Sequence, residues 1–189
     1  MSFAKQIHII AGPNGAGKSS HARISLLPQF LKSNEFINAD EIAKILAPEE
    51  VNSVAAKAGR LMLKRMRYLV SEGLGFAFET TLSAKSYINF IQYAQNKGYS
   101  VNLIFLALDS YKLARSRVIT RVSKGGHDVD EEVIFRRFNR GLLNLKSYLD
   151  IVNTALIYEA SGLELVEIAK KIDNKILIIN QNLWEQINA

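Results

Sequence analysis

Along the chain, short unbroken apolar runs alternate with stretches in which apolar residues return every three or four positions. Runs of the first kind suit strands buried on both faces of a parallel sheet, and stretches of the second kind suit helices packed against it. The pattern predicts strands at Gln6–Ala11, Glu35–Asn38, Gly75–Glu79, Val101–Leu108 and Ala155–Glu159, with a further one at Ile176–Ile179. Between them it predicts helices near 18–29, 40–47, 51–72, 84–97, 111–123 and 131–149. Alternation of this kind marks an α/β fold, a central mainly parallel sheet flanked by helices. No Pro- or Gly-rich linker and no repeat interrupts it, so residues 1–189 read as one domain. Residues 163–189 read as a strand pair and a short tail, to which no chemistry attaches.

The helix predicted at 131–149 carries a core stripe of Ile134, Phe138, Leu142, Leu145 and Leu149. Arg136 and Arg140 then point away from the core and Arg137 lies on the flank of the stripe. Asp128, Asp130, Glu131 and Glu132 are the acidic start signals of that helix. Before them "KGGHDVD" (124–130) is the flexible break of the second half, with Gly125-Gly126 as a candidate hinge. His127 within it reads as structural, bonded to backbone.

Composition narrows the class. No Cys is present, which excludes a disulfide framework, a thiolate nucleophile and Cys-ligated zinc, and His8, His21 and His127 have no metal-site spacing. No apolar run spans a bilayer, and the first residues pass directly into a strand without the regions of a signal peptide, so a soluble cytoplasmic protein is expected. The net charge is +6 and the pI near 9.5. The excess is concentrated in 111–146, with nine Lys and Arg against four acids, and in 57–67. Lys57, Arg60, Lys64 and Arg67 recur at helical spacing opposite Met62 and Met66 and read as a solvated face.

"AGPNGAGKSS" supplies the first chemistry. Gly12-x-x-x-x-Gly17-Lys18-Ser19 is a Walker A pattern placed between a β run and a helix, as that motif requires. Its glycines permit the positive φ angles that turn successive N–H groups toward one anion, and the helix start adds its dipole. The nucleotide-binding set is therefore Gly12, Pro13, Asn14, Gly15, Ala16, Gly17, Lys18, Ser19 and Ser20. Lys18 would reach the β- and γ-phosphates of a nucleoside triphosphate, and the Ser19 hydroxyl would ligate Mg²⁺.

GTPases, motors and kinases all use this loop. The chain lacks the DxxG and NKxD of a GTPase, "NKIL" at Asn174 having no Asp. The nearest motor-type carboxylate, Asp109 after "LIFLAL", reads better as the N-cap of the helix beginning near Ser110. A kinase needs a carboxylate beside its acceptor hydroxyl, at the strand ends where α/β sheets bind ligands. "FINADEIA" offers Asp40 as general base, with a helix cap as its alternative role. "GFAFETTLS" offers Glu79 for the magnesium water shell or the acceptor, with a helix-start carboxylate as its alternative. Thr80, Thr81 and Ser83 read as caps. Cations for the migrating phosphoryl group would come from a lid at about 112–140, with Arg117 and Arg121 as first candidates and Arg137 behind them.

"AGPNGAGKSS", "FINADEIA", "AGRLML", "FAFETTLS" and "RVSKGGHDVDEEVIFRRFNR" follow one another in the order and spacing of zeta-toxin-like P-loop kinases, which the chain resembles to about residue 145. It is most similar to the small stand-alone branch that resembles UDP-N-acetylglucosamine kinases. The resemblance implies a kinase-type P-loop fold with a helical lid, ATP and Mg²⁺ as donor, and in the best-known members the sugar 3′-hydroxyl of UDP-N-acetylglucosamine as acceptor. It implies a base at Asp40, an acceptor-side acid at Glu79 and lid arginines on the phosphates. The leading expectation is a phosphotransferase acting on a small hydroxyl compound. The alternatives are a nucleotide-dependent interaction module, including a toxin-like protein held by an antitoxin, and, behind that, a polynucleotide end kinase. Against the last, no aromatic-interleaved basic groove is visible.

Overall fold

A computed structural model describes residues 5–32, 34–126, 128–172 and 174–188. Its sheet is built around β1 (Gln6–Ala11), whose Ile7, Ile9 and Ile10 have no solvent exposure. β2 (Glu35–Ile37), β3 (Phe76–Thr80), β4 (Ser100–Ala107) and β5 (Thr154–Glu159) join it in parallel, and β6 (Val166–Ile172) and β7 (Lys175–Ile178) extend the sheet antiparallel. The order is β2-β3-β1-β4-β5-β6-β7. After β1 the chain travels to one side for β2 and β3, then crosses to the other for β4. The strand order therefore reverses at β1, and a crevice opens outside its carboxyl end.

Helices cover both faces. α4 (Ala55–Ser71), α5 (Ser86–Asn96) and the last turns of α7 (Glu131–Leu149) pack with Ile7, Ile9, Phe76, Phe78, Leu103 and Phe105 on one face. α2 (Pro28–Leu31), α6 (Tyr111–Ser123) and the first turns of α7 pack with Ile10, Ala77, Ile104 and Leu106 on the other. Alternate residues of each strand thus feed opposite cores, as the period of two dictates. α7 belongs to both clusters and passes from one face to the other. α1 (Lys18–His21) follows β1 after the loop of residues 12–17, and α3 (Ala39–Leu46) starts directly beyond β2.

The differences from the sequence reading are local. The helix expected at 18–29 is α1, then a π-helical stretch at Ala22–Leu26, then α2, restarted at Pro28, whose ring suits a first helical turn. Residues 51–54 form a 3₁₀ turn ahead of α4. The expected short tail is a helix, α8 (Gln181–Asn188), which packs Leu183, Trp184 and Ile187 onto the core behind β6. Its first turn is capped by Asn180, whose Oδ1 accepts from the Leu183 N–H at 3.2 Å. Gly125 and Gly126 are not a bare hinge. The Gly126 N–H donates to Arg121 O and the Gly125 N–H to Val122 O, both at 2.9 Å, and Gly125 has φ 82°. This is the two-bond glycine cap that ends a helix. His127 lies outside the described residues.

Candidate active site

The loop after β1 has the backbone its glycines foretold: φ is 142° at Gly12, 81° at Gly15 and 74° at Gly17. Two of these glycines are also required by crowding. A Cβ on Gly12 would lie 2.3 Å from Leu106 O, and one on Gly15 would lie 2.8 Å from Ala114 O. The loop is thus wedged between β4 and α6. Lys18 is folded into it, 6% exposed, with Nζ donating to Pro13 O at 2.9 Å and 3.5 Å from Glu79 Oε1. Burial holds the Lys18 ammonium below the usual lysine range, a pull that Glu79 and then Asp40 oppose and Arg137 reinforces.

Glu79, at the end of β3, is the hub. Its Oε2 accepts from the Ser19 hydroxyl and from Asn38 Nδ2, the latter at 3.1 Å. The parallel order β2-β3-β1 explains the meeting: the carboxyl ends of three adjacent strands deliver Asn38, Glu79 and the phosphate loop to one point. Glu79 therefore faces the loop and does not serve as a helix-start carboxylate.

Asp40 is not a helix cap either. Asn38 caps α3, its Oδ1 accepting from the Asp40 N–H at 2.8 Å. Among the described residues the Asp40 carboxylate makes no hydrogen bond, and it faces a cleft of about 390 Å³. Asn14, Lys18, Asn38, Glu79, Arg121 and Arg137 line the same cleft. Its far wall is α4, with Ala55, Ala56, Gly59, Arg60 and Leu63, opposite Thr80, Thr81, Ser83, Ser86 and Tyr87. The hydroxyls expected as caps shape a turn instead. Thr80 Oγ1 accepts from the Leu82 N–H at 3.1 Å and Thr81 donates to Ser83 at 2.9 Å, while α5 starts later without a side-chain cap.

The arginines divide differently from expectation. Arg117 does not line the cleft: its guanidinium donates to Gly15 O at 3.3 Å, Ala160 O at 2.8 Å and Ser161 O at 2.5 Å. It ties α6 to the phosphate loop and to the segment after β5. Arg121 lines the cleft, and so does Arg137, which the sequence had placed last among the three. Arg60 is exposed with Lys57, Lys64 and Arg67, as its helical spacing predicts, and it also lines the cleft, which that spacing alone could not disclose. Asp109 does not cap α6. Ser110 does, its Oγ accepting from the Leu113 N–H at 3.3 Å and donating to Asp109 Oδ1 at 2.9 Å.

These groups fit a nucleotide and its metal. Asn14, 5% exposed, has an Oδ1 without a hydrogen-bond partner, the kind of buried orphan that a ligand or bound water satisfies. The described residues contain no cluster of three or more His, Cys, Asp or Glu able to hold a metal. Mg²⁺ is held mainly by phosphates, water and one or two protein oxygens, and the Ser19 hydroxyl and Glu79 carboxylate meet beside the loop. No described helix is long and apolar enough to cross a membrane.

Residues 3–181 match the sequence profile of a family described as Zeta toxin. An uncharacterized protein of Haemophilus influenzae is 28% identical over 129 residues, 67% of this chain and 88% of its own. Among solved structures, a chain of the AvrRxo1-ORF1:-ORF2 complex with ATP aligns with a TM-score of 0.80 at 18% identity over 98% of this chain, which spans only 64% of that one. A structure from the PezAT chromosomal toxin-antitoxin system of Streptococcus pneumoniae aligns with a TM-score of 0.65 at 20% identity, over 86% of this chain and 70% of that one. At such identities the structural likenesses show the fold alone.

Proposed function

This chain belongs to the Zeta toxin family, and on that premise we propose that it is an ATP-dependent kinase that moves the γ-phosphoryl group onto a hydroxyl of a small molecule, with Asp40 as general base. The observation that carries this reading is that Asp40, Lys18, Arg121 and Arg137 line one cleft. A carboxylate free to take a proton stands beside the cations a migrating phosphoryl group requires. In the transfer, the acceptor oxygen bonds to the γ-phosphorus as the bond to the ADP oxygen breaks, and the hydroxyl proton passes to Asp40. Lys18, Arg121 and Arg137 balance the charge spread over the phosphoryl oxygens. Ser19 and Glu79 would hold Mg²⁺, which when bound neutralises phosphate charge and aligns the donor. Arg117 supports the loop from behind through its carbonyl bonds.

The acceptor lies between α4 and the turn after β3, and a UDP-N-acetyl sugar suits it. Arg60 offers a counter-charge for the diphosphate, while Thr81, Ser83 and Ser86 offer polar partners to the sugar. A second reading, a nucleotide-dependent interaction module such as a toxin-like protein held by an antitoxin, draws support from the toxin-antitoxin system named for the Streptococcus pneumoniae structure. It predicts ATP binding without acceptor turnover and no loss of function on Asp40→Asn.

The test is ³¹P NMR of the protein with ATP, Mg²⁺ and a panel of UDP-sugars and nucleosides, run beside Asp40→Asn. A new phosphomonoester resonance is expected, falling by roughly 10²-fold or more in the variant, the scale of a lost general base. Transfer that is indifferent to Asp40→Asn would remove the base assignment.

A further inference from the structure

Two glycines interrupt the helices around the cleft, and only one has a reason within the protein. At Gly141 in α7, a Cβ would lie 2.5 Å from Thr81 O, so glycine is what lets that helix approach the turn after β3. At Gly59, the fifth residue of the 17-residue α4, a Cβ would meet no atom within 4 Å. Gly59 is also not among the residues of positive φ. Neither crowding nor backbone conformation calls for glycine there, although a helix interior is weakened by it relative to alanine.

The space left by the missing side chain is the cleft itself. Residues 55, 56, 59 and 63 form one face of α4, and as Ala55, Ala56, Gly59 and Leu63 they line it. The opposite wall, through Ser83, Ser86 and Tyr87, is polar and aromatic. An independent sign that this cleft takes a ligand is the unpartnered Oδ1 of the buried Asn14 at its other end.

We propose that Gly59 is a specificity-determining residue: its bare backbone is the floor on which the non-reacting body of the acceptor lies, and the size of residue 59 decides which hydroxyl compounds reach Asp40. This rests on the kinase reading above and adds to it a role for Gly59 within the "AGRLML" segment, to which the sequence attached no chemistry. A side chain at 59 should not disturb the nucleotide end, because Gly59 sits on α4 and the phosphate loop follows β1. It should shorten the slot for the acceptor.

The experiment compares Gly59→Ala and Gly59→Leu with the wild-type chain, using UDP-N-acetylglucosamine and UDP-glucose as acceptor probes and Asp40→Asn as reference. Alanine should raise the melting temperature of the ligand-free protein by roughly 2 to 4 °C, because it improves the helix and meets no neighbour. The same variant should keep ATP affinity within about twofold and raise KM for the acceptor by about tenfold or more, with kcat falling less. Leucine should reduce acceptor kcat/KM by about a hundredfold or more while still binding ATP, an uneven loss expected of lost acceptor binding. A melting temperature lowered by Gly59→Ala would show that the glycine serves the fold and would overturn the proposal. Acceptor turnover untouched by both variants, with Asp40→Asn inactive, would overturn the Gly59 assignment alone. If the wild-type chain phosphorylates neither probe, the choice of acceptor beneath the proposal fails and takes it down too.

Discussion

Glu79→Gln tests the electrostatic centre of the site without any acceptor. Glu79 and Lys18 are both largely buried, 14% and 6% exposed, and Lys18 depends on Glu79 first and Asp40 second to remain charged. Removing one partner of a buried pair costs about 3–5 kcal/mol because the other charge is left uncompensated. Two features place this variant at the lower end. The 3.5 Å separation is long for a charge-assisted bond, and Asp40 still acts on the ammonium. Glutamine also keeps a carbonyl that can accept from Ser19 or Asn38. A loss of about 3 kcal/mol near pH 7 is therefore expected, or a drop of roughly 6 to 12 °C in melting temperature for a chain of this size. The pH dependence makes the cause identifiable. Lys18 titrates lower in the folded state than in the unfolded chain, so between those two values the unfolded chain binds more protons and stability climbs with pH. Without Glu79 the folded value falls further and that window widens downward, so the variant regains stability over a wider pH range than the wild type. Urea unfolding at pH 7 and at pH 9.5 should show the deficit shrinking. A deficit identical at both, or none at all, would refute the view that Glu79 holds the Lys18 charge.

Further outcomes are expected elsewhere. Burial pushes the His8 imidazole down to about 4, with the ring edge-on to Phe30 at 4.4 Å. Between about 4 and the unfolded value near 6.5 only the unfolded chain takes up that proton, so acidification through this window should cost the wild type up to about 3 kcal/mol; urea titrations of His8→Phe should show a flatter profile there, and equal slopes would discard the assignment. Gly141→Ala should destabilise by about 1–2 kcal/mol despite the better helix former, because the obstructing atom is a backbone carbonyl that cannot swing aside. Denaturant midpoints check this, and a stabilised Gly141→Ala would mean that α7 shifts freely.

Most of what is local was legible in the sequence. The run "QIHIIA" could only be a strand buried on both faces, and the glycines of "GPNGAGKS" needed the φ values they adopt. Asp40 and Glu79 were found as carboxylates near strand ends, a property of each segment alone. Asn38 and Ser110 cap α3 and α6, their side chains reaching the N–H groups two and three residues on, so neither the cap alternative for Asp40 nor the cap reading of Asp109 holds. α8 was missed although Leu183, Trp184 and Ile187 have helical spacing, since eight residues carry too few repeats of that spacing to stand against a tail.

The arginines show where segment-by-segment reading stops. Helical periodicity fixes the angle of a side chain relative to its own helix, but which partner occupies that angle depends on how the helix docks. Arg117 follows Ala114 by three positions, on the α6 face pressed against Gly15, so its guanidinium meets carbonyls of the phosphate loop and of the segment after β5. Arg137 precedes Gly141 by four positions in α7, where the absence of a side chain lets the helix close on Thr81. That approach brings α7 over the carboxyl ends of the strands, and the flank of its core stripe becomes the roof of the cleft. A glycine that draws backbone in and a glycine that leaves room for something else have the same letter in the sequence. Gly141 and Gly59 are told apart by what a Cβ would touch, and that single distinction separates the helix that closes on the turn after β3 from the helix that leaves room beside the cleft.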